Sequence, residues 1–314
     1  KIVNLDNLTY AANPDNLKDI ENNNHYCFIK GDICNADLVN KLFNEYDLKG
    51  VINFAAESHV DNSIINPEVF VRTNIYGTLT LLESARKHWL KEPNIYNAGY
   101  ENCKFHHIST DEVYGSLGET GYFTEHSPYR PNSPYSASKA GADLLVRSYY
   151  KTFGLNTLIT NSSNNFGPAQ HKEKLIPTII RKALALEPIP IYADGSNIRD
   201  WIYVLDHCNA IDIVFHSGIV GNTYNIGCRN EYKNICIANK ICELLDKYKP
   251  LDKNKHQITT YKDLITFVKD RPGHDKRYAI DPAKIESELK WKIETNFDMK
   301  LEKTVKWFLK NNRF

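Results

Sequence analysis

Two short stretches of this sequence carry residue types that could move protons. Tyr135 and Lys139 stand four residues apart in Tyr135-Ser136-Ala137-Ser138-Lys139. On a helix that spacing puts both on one face, one turn apart. An ammonium near a phenol favours the phenolate and lowers its pKa. A tyrosine tuned in this way can take the proton of a sugar or alcohol hydroxyl while hydride leaves the same carbon. The second stretch is Ser109-Thr110-Asp111-Glu112, two hydroxyls followed by two carboxyls. Neighbouring carboxyls can divide acid and base work if one is held protonated and the other ionised. Neither stretch is specific alone. A chain with 19 tyrosines meets the Tyr-Lys spacing by chance, and an isolated Asp-Glu pair reads as an exposed acidic turn.

The elements that must position these residues follow from hydrophobic pattern. Lys1 to Asp6 reads as a strand, as do Tyr26 to Lys30, Gly50 to Ala56, Phe105 to Ser109 and Thr157 to Asn161. Apolar spacing of about 3.6 predicts helices over Val69–Lys87, Tyr135–Phe153 and Leu175–Ala185, the last with Pro177 in its first turn. Strands alternating with helices in this way mean an α/β fold with a largely parallel sheet. The alternation loosens after residue 165. Short strands at Ile189–Tyr192 and Thr223–Ile226, and helices at Lys233–Leu245 and Met299–Lys310, read as a smaller lobe. The expected division is 1–165 and 166–314, with later returns to the first part. The lysine-rich run 247–262 reads as a solvated connector. A parallel sheet binds ligands at the carboxyl ends of its strands. Asp6, Asp32, Ala55-Ala56-Glu57-Ser58 and Ser109-Thr110-Asp111-Glu112 all fall at such ends, which suggests one long ligand across the sheet edge.

Composition narrows the class. The chain has 314 residues, 42% hydrophobic and 25% charged, a globular balance that excludes a disordered, collagenous or coiled-coil chain. A net charge of +1 offers no electrostatic case for nucleic acid or an anionic membrane surface. No apolar run is long enough to span a bilayer. The seven cysteines form no CxxC pair, so the expectation is free thiols in a reducing, cytoplasmic compartment and no metal site.

Taken jointly, several motifs are specific. They are Asp6-Asn7-Leu8-Thr9-Tyr10-Ala11, Phe54-Ala55-Ala56-Glu57-Ser58-His59-Val60-Asp61, Ser109-Thr110-Asp111-Glu112-Val113-Tyr114-Gly115 and Ser133-Pro134-Tyr135-Ser136-Ala137-Ser138-Lys139. Further along come Ser163-Asn164-Asn165-Phe166-Gly167-Pro168, Glu173-Lys174-Leu175-Ile176-Pro177, Arg199-Asp200-Trp201 and Arg271-Pro272-Gly273-His274-Asp275. In these motifs, along essentially its whole length, the chain resembles the extended short-chain dehydrogenase/reductase family and, within it, the dTDP-glucose 4,6-dehydratases. Thr110-Asp111-Glu112 weighs most, because the epimerases of that superfamily usually carry small hydroxyl residues in place of the acidic pair.

The resemblance implies a Rossmann-type doubly wound parallel sheet with a smaller C-terminal α/β lobe for the sugar nucleotide, and NAD as cofactor. Asp6 would hold the adenosine ribose, with Asn7, Leu8 and Thr9 beside it. A carboxylate there disfavours a 2′-phosphate and so argues for NAD over NADP. Asp32 and Ile33 would flank the adenine. Phe54, Ala55, Ala56, Ser58 and Thr73 would line the cofactor, and Ser109, Tyr135, Lys139 and Asn165 the nicotinamide side. Ser58, Thr110, Asp111, Glu112, Asn164, Lys174, Leu175, Tyr192, Asn234 and His274 would meet the substrate, with Arg199 and Arg271 on its diphosphate. A bare reading of Arg199 is an ion pair with Asp200 or Asp206. The family's first strand and glycine-rich loop are expected upstream of residue 1, within a preceding segment of about 25 to 30 residues, because no such turn precedes Gly31 and the missing strand would be central in the sheet. A shortened, inactive protein is the alternative. Ala193 stands where the family commonly has glycine, a departure that matters if the position needs positive φ.

The implied reaction is C4 oxidation of dTDP-glucose, loss of water across C5 and C6, and hydride return to C6, a lyase step of deoxysugar synthesis. Tyr135 would take the 4-hydroxyl proton with Thr110 orienting that group, Glu112 would take the C5 proton, and protonated Asp111 would protonate the leaving 6-hydroxyl. A UDP-glucose dehydratase, a 4-epimerase or decarboxylase of the same superfamily, and a non-catalytic NAD-binding protein are the competing readings. His59, His106 and His107 read as packing or supporting residues. A homodimer is expected through a helix near 71–87 and the helix carrying Tyr135–Phe153, with no nucleic-acid or membrane partner.

Overall fold

A computed structural model describes residues 1–252, 258–293 and 296–311. Its chain divides into two compact units. The first comprises Lys1–Val113, Ser133–Asn161 and Ile213–Tyr224; the second comprises Tyr114–Asn132, Ser162–Asp212 and Asn225–Phe314.

In the first unit, β1 (Ile2–Asp6) pairs in parallel with β2 (Tyr26–Lys30) in register Ile2↔Tyr26 to Asp6↔Lys30. Helix α1 (Ala36–Tyr46) starts at Asn35, whose side chain accepts the Leu38 N–H, and stops at Asp47 in left-handed conformation. Strand β3 (Gly50–Asn53) follows, then α2 (Val60–Ile65) and α3 (Pro67–Phe70). A π-helical turn, Val71–Gly77, leads into α4 (Thr78–Trp89). The small hairpin β4 (Leu90–Glu92) and β5 (Ile95–Tyr96) precedes β6 (Lys104–Thr110), which pairs in parallel with β3. Helix α5 (Pro134–Phe153) ends at Gly154, φ +69°, where any side chain would be strained. Strand β7 (Thr157–Ser162) lies beside β6 in a sheet ordered β11-β7-β6-β3, where β11 is Thr223–Ile226. Helices α1, α4 and α5 pack a core of Val39, Phe43, Leu82, Trp89, Phe105 and Val146. Each such side chain contributes roughly 1.5–3 kcal/mol of transfer free energy.

The second unit holds β8 (Asn164–Phe166), α6 (Leu175–Leu184), β9 (Ile189–Tyr192), β10 (Ile198–Tyr203) and most of α7 (Val204–Ser217). It continues with β12 (Glu231–Lys233), α8 (Asn234–Tyr248), β13 (Ile265–Val268), α9 (Ala283–Leu289) and α10 (Phe297–Asn311). Strand β10 is central to a three-stranded sheet, parallel to β8 and antiparallel to β12. Strands β9 and β13 form a parallel pair. Helices α6, α8 and α10 close over Ile179, Ile237, Ile241, Leu301 and Phe308.

The fold is the expected α/β arrangement with parallel strand pairs and flanking helices. Two expected elements differ, and the first, the strand expected over Gly50 to Ala56, stops at Asn53. The predicted helix over Val69–Lys87 is divided: Pro67 opens α3 at its first residue, and the ladder then widens through the π-helical turn before α4. Of the expected connector 247–262, Lys247 and Tyr248 close α8, Tyr261 opens a 3₁₀ turn, and residues 253–257 lie outside the described residues.

Candidate active site

Strand β6 delivers Ser109 and Thr110 at its carboxyl end, and a 3₁₀ turn, Asp111–Tyr114, follows at once. The turn resolves the problem that a strand would aim Asp111 and Glu112 to opposite faces. Asp111 is 1% exposed and Glu112 half-buried. The Thr110 hydroxyl donates to Asp111 Oδ1 at 3.4 Å and accepts the Glu112 N–H at 3.3 Å, so one hydroxyl orients both acidic residues.

Tyr135 is the second residue of α5, and its position is tightly specified. Ser133 caps the helix: its hydroxyl accepts the Ser136 N–H at 3.1 Å, while the Ser136 hydroxyl accepts the Ser133 N–H at 3.1 Å. Pro134 occupies the first turn, where no donor is lost. Asn74, in the π-helical turn, accepts the Glu57 N–H at 2.8 Å and donates to Ser138 Oγ at 2.8 Å; Ser138 in turn donates to the Tyr135 carbonyl at 2.7 Å. The Phe70 ring meets the Tyr135 ring edge-on, centroids 6.3 Å apart.

The electrostatics of the phenol differ from the expectation of a lowered pKa. Burial pushes Tyr135 up, the Glu112 carboxylate adds to this, Thr110 opposes it by a hydrogen bond, and Asp111 and Asp143 add further. The protein alone therefore keeps Tyr135 as a phenol, because three carboxylates and desolvation act against the phenolate. Lys139 is 3% exposed and donates to the Ile108 carbonyl at 2.7 Å. Burial lowers it to about 8, with Asp143 pulling the other way. His107 stands 3.4 Å from Lys139 Nζ and is held well below its ordinary value by burial and then by Lys139, so it is neutral. Asn53 Nδ2 lies 3.3 Å from His107 Nδ1.

Sequence reasoning missed three members of this cluster. Asp143 accepts the Ser109 hydroxyl at 2.8 Å, and Asn74 and Asn53 are buried polar side chains on neighbouring elements. Tyr135, Lys139 and Asp143 recur every four residues on α5, but that spacing alone does not mark Asp143 as buried.

Apart from Thr73, Tyr135 and Lys139, the expected cofactor residues of this unit sit at or just beyond carboxyl ends of strands. Asp6 ends β1, exposed, with Oδ1 accepting the Leu8 N–H at 2.7 Å; Leu8 itself has φ +51°. Asn7 and Thr9 are exposed beside it. Asp32 follows β2 and accepts the Cys34 N–H at 2.8 Å, with Ile33 buried next to it. Phe54, Ala55, Ala56 and Ser58 follow β3, Phe54 being 59% exposed, and Thr73 lies half-buried in the π-helical turn. An exposed, oriented carboxylate at the end of one strand and a second beside it fit the ribose hydroxyls of a dinucleotide.

The second unit gathers most of the other expected residues. Asn164 and Asn165 form β8 beside Trp201 and Ile202 of β10. Asn165 donates to the Ser163 carbonyl at 3.2 Å. Arg199 lies buried on β10. It donates to the Ile198 and Asp275 carbonyls at 2.8 and 2.9 Å and covers the Tyr278 ring at 4.2 Å. Asp206 instead pairs with Lys300, and Asp200 accepts the N–H groups of Cys228 and Asn230. Tyr192 at the end of β9 meets the His274 ring, centroids 5.8 Å apart, and His274 Nδ1 lies 2.6 Å from Asp270 Oδ1. Burial lowers the His274 pKa; Arg271 is the next cause, Asp270 opposes, and Arg199 also lowers it. Two guanidinium groups thus act on one neutral imidazole, a positive environment suited to a phosphate oxygen. Asn234 begins α8, its N–H donating to the Asn197 carbonyl at 3.0 Å. Lys174 precedes α6 and stands 3.6 Å from Glu173, and Leu175 packs against the unit's core. Ala193 has φ +49°.

The GDP-mannose 4,6 dehydratase family model matches residues 1–304. The dTDP-glucose 4,6-dehydratase of Xanthomonas campestris pv. campestris is 50% identical over 311 residues, covering 99% of this chain and 87% of that protein. Among solved structures, the dTDP-glucose 4,6-dehydratase of Bacillus anthracis in complex with NAD aligns with a TM-score of 0.84 and 44% identity, over 99% of this chain and 89% of that one. The Streptomyces venezuelae dTDP-glucose 4,6-dehydratase, solved with NAD bound, aligns with a TM-score of 0.88 and 39% identity, over 99% and 88%. With the acidic pair on its turn beside Tyr135 and Lys139, the chain belongs to the dTDP-glucose 4,6-dehydratases of the NAD-dependent epimerase/dehydratase family, extended short-chain dehydrogenase/reductases.

Proposed function

We propose that this protein dehydrates dTDP-glucose to dTDP-4-keto-6-deoxyglucose. The observation that carries the reading is the Asp111–Tyr114 turn, which sets two carboxyls of unequal burial around the Thr110 hydroxyl while both bear electrostatically on the Tyr135 phenol. Asp6 and Asp32 would hold NAD at its adenosine end and Ser109, Tyr135 and Lys139 at the other, with Leu8, Ala55, Ala56 and Thr73 beside it, and the cofactor would supply a reversible hydride store for C4 oxidation and C6 reduction.

Tyr135 takes the 4-hydroxyl proton. Because burial and acidic neighbours favour the phenol, the Lys139 ammonium, with the positive charge a bound NAD would supply, would have to offset them. Thr110 orients the 4-hydroxyl. Once C4 is a ketone the C5 proton becomes acidic, and Glu112, the more accessible carboxyl, removes it. Asp111, in the drier position, protonates the departing 6-hydroxyl, and water leaves. Glu112 then returns its proton to C5. In the second unit Arg199 and Arg271 are assigned to the diphosphate, and Asn164, Lys174, Tyr192, Asn234 and His274 to the rest of the sugar nucleotide. Incubation with dTDP-glucose and mass analysis tests this: the product is lighter by one water, whereas an unchanged mass sinks the reading.

A homodimer is part of the same proposal. Ile64, Ile65, Val71, Tyr76 and Leu144 are exposed on α2, the π-helical turn and α5, an apolar surface that a second copy would cover. Light scattering at the monomer mass would refute it. The free thiols suit a cytoplasmic setting; among the described residues no helix is long and apolar enough to cross a membrane.

A further inference from the structure

Between β6 and α5 lies a buried polar cluster that the reaction above does not use in full. Asp143 is 1% exposed. Its Oδ2 accepts the Ser109 hydroxyl at 2.8 Å, and its Oδ1 stands 3.5 Å from His107 Nε2. It sits one helical turn beyond Lys139, as Lys139 sits one turn beyond Tyr135, so the three share a face of α5. A carboxylate this deep is costly unless it is paired and hydrogen-bonded. A helix can place a packing residue there with less cost, so the site calls for another explanation.

We propose that Asp143 is a positioning residue of the dehydratase: its carboxylate is the counter-charge of Lys139 and the anchor of the Ser109 hydroxyl, and so sets both groups beside Tyr135. The inference rests on the assignment of Tyr135 and Lys139 to C4 oxidation. The neighbours of the pair are accounted for. From β6, His107 is neutral and His106 bonds Thr160 at 3.1 Å. From the turn, Asp111 and Glu112 act on Tyr135. The elements packed on α5 carry Asp61 on α2, Glu68 on α3 and Arg72 in the π-helical turn. On α4, Glu83 binds Arg86 and Tyr149, Lys87 stands 3.8 Å from Glu83, and His88 contacts Tyr100. Asp143 is the charge that opposes desolvation at Lys139.

The test reads Lys139 directly. In protein labelled with ¹³C-lysine, the Cε signal absent from Lys139→Arg protein reports its protonation without turnover. In the native protein it titrates near 8. In Asp143→Asn, which keeps shape and can still accept the Ser109 hydroxyl, the midpoint falls by about one pH unit or more, the scale of losing a nearby opposite charge. The alkaline limb of single-turnover C4 oxidation moves down with it. A folded Asp143→Asn protein with an unmoved or raised midpoint overturns the proposal. Should that variant not fold, Asp143→Glu and Ser109→Ala decide, because both retain the carboxylate: the midpoint stays near 8 in each, and a fall by a unit in either overturns the proposal. Failure of C4 oxidation itself would show as absent water loss in native protein, an outcome separate from the titration.

Discussion

Replacing Lys139 by Met should change how stability depends on pH, and the size of the change follows from the structure. Lys139 titrates near 8 in the folded protein against an ordinary 10.5, because burial disfavours its ammonium. Between those values the unfolded chain binds a proton that the folded chain does not, so stability rises with pH. The direction is that of a cation with a depressed pKa: its cost is present in full below pH 8 and is relieved above it. Each pH unit is worth about 1.4 kcal/mol, so from pH 7 to 9.5 native protein should gain about 2 kcal/mol relative to Lys139→Met. Other titrations are shared by both proteins and cancel in the difference. Urea unfolding of both, followed by circular dichroism at several pH values, supplies the measurement. A difference in unfolding free energy that stays flat from pH 7 to 9.5, or falls, would refute the claim that Lys139 is buried and depressed.

Three further outcomes follow from particular contacts. Ser133→Ala removes the cap that begins α5 and should cost about 1 kcal/mol in unfolding free energy. It should also lower kcat more than it raises KM, because Tyr135 is the second residue of that helix. Ala193→Gly should raise the thermal midpoint, with a gain of about 1 kcal/mol, because φ is +49° there and the Cβ is strained; an unchanged or lower midpoint would count against that backbone. Leu82→Ala, at a fully buried position in the first unit's core, should cost about 2–5 kcal/mol by calorimetry or denaturant.

What the sequence revealed and what it hid divide along physical lines. The spacing of Tyr135 and Lys139 was legible because helical periodicity is local, and β9 and β11 were legible because short apolar runs bounded by turn residues are local too. Asp143 was not, because a carboxylate on a helix ordinarily faces water and only the tertiary fold buries it beside Ser109. Strand β10 escaped for a related reason. Arg199 and Asp200 interrupt its apolar pattern, yet both are buried, since backbone carbonyls take up the guanidinium and backbone N–H groups the carboxylate. Helix α7 carries Leu205 exposed and Ala210, Ile211 and Val214 buried, with apolar residues too evenly spread to mark a face. The π-helical turn depends on Asn74 turning its side chain to Glu57 and Ser138, contacts far apart in sequence. The direction of the Tyr135 shift was misjudged because the motif shows one cation, whereas the fold adds burial and three carboxylates.

Dehydration as proposed turns on Glu112 acting as the base and Asp111 as the acid. Single-turnover reaction of Glu112→Gln protein with dTDP-glucose in deuterated water, with absorbance of reduced cofactor and mass analysis of the recovered sugar, tests it most directly. The side chain keeps its size and loses only the basic carboxylate. Reduced cofactor should still appear while deuterium uptake at C5 slows by about 10² to 10⁴. Rapid C5 exchange in that variant would contradict the assignment.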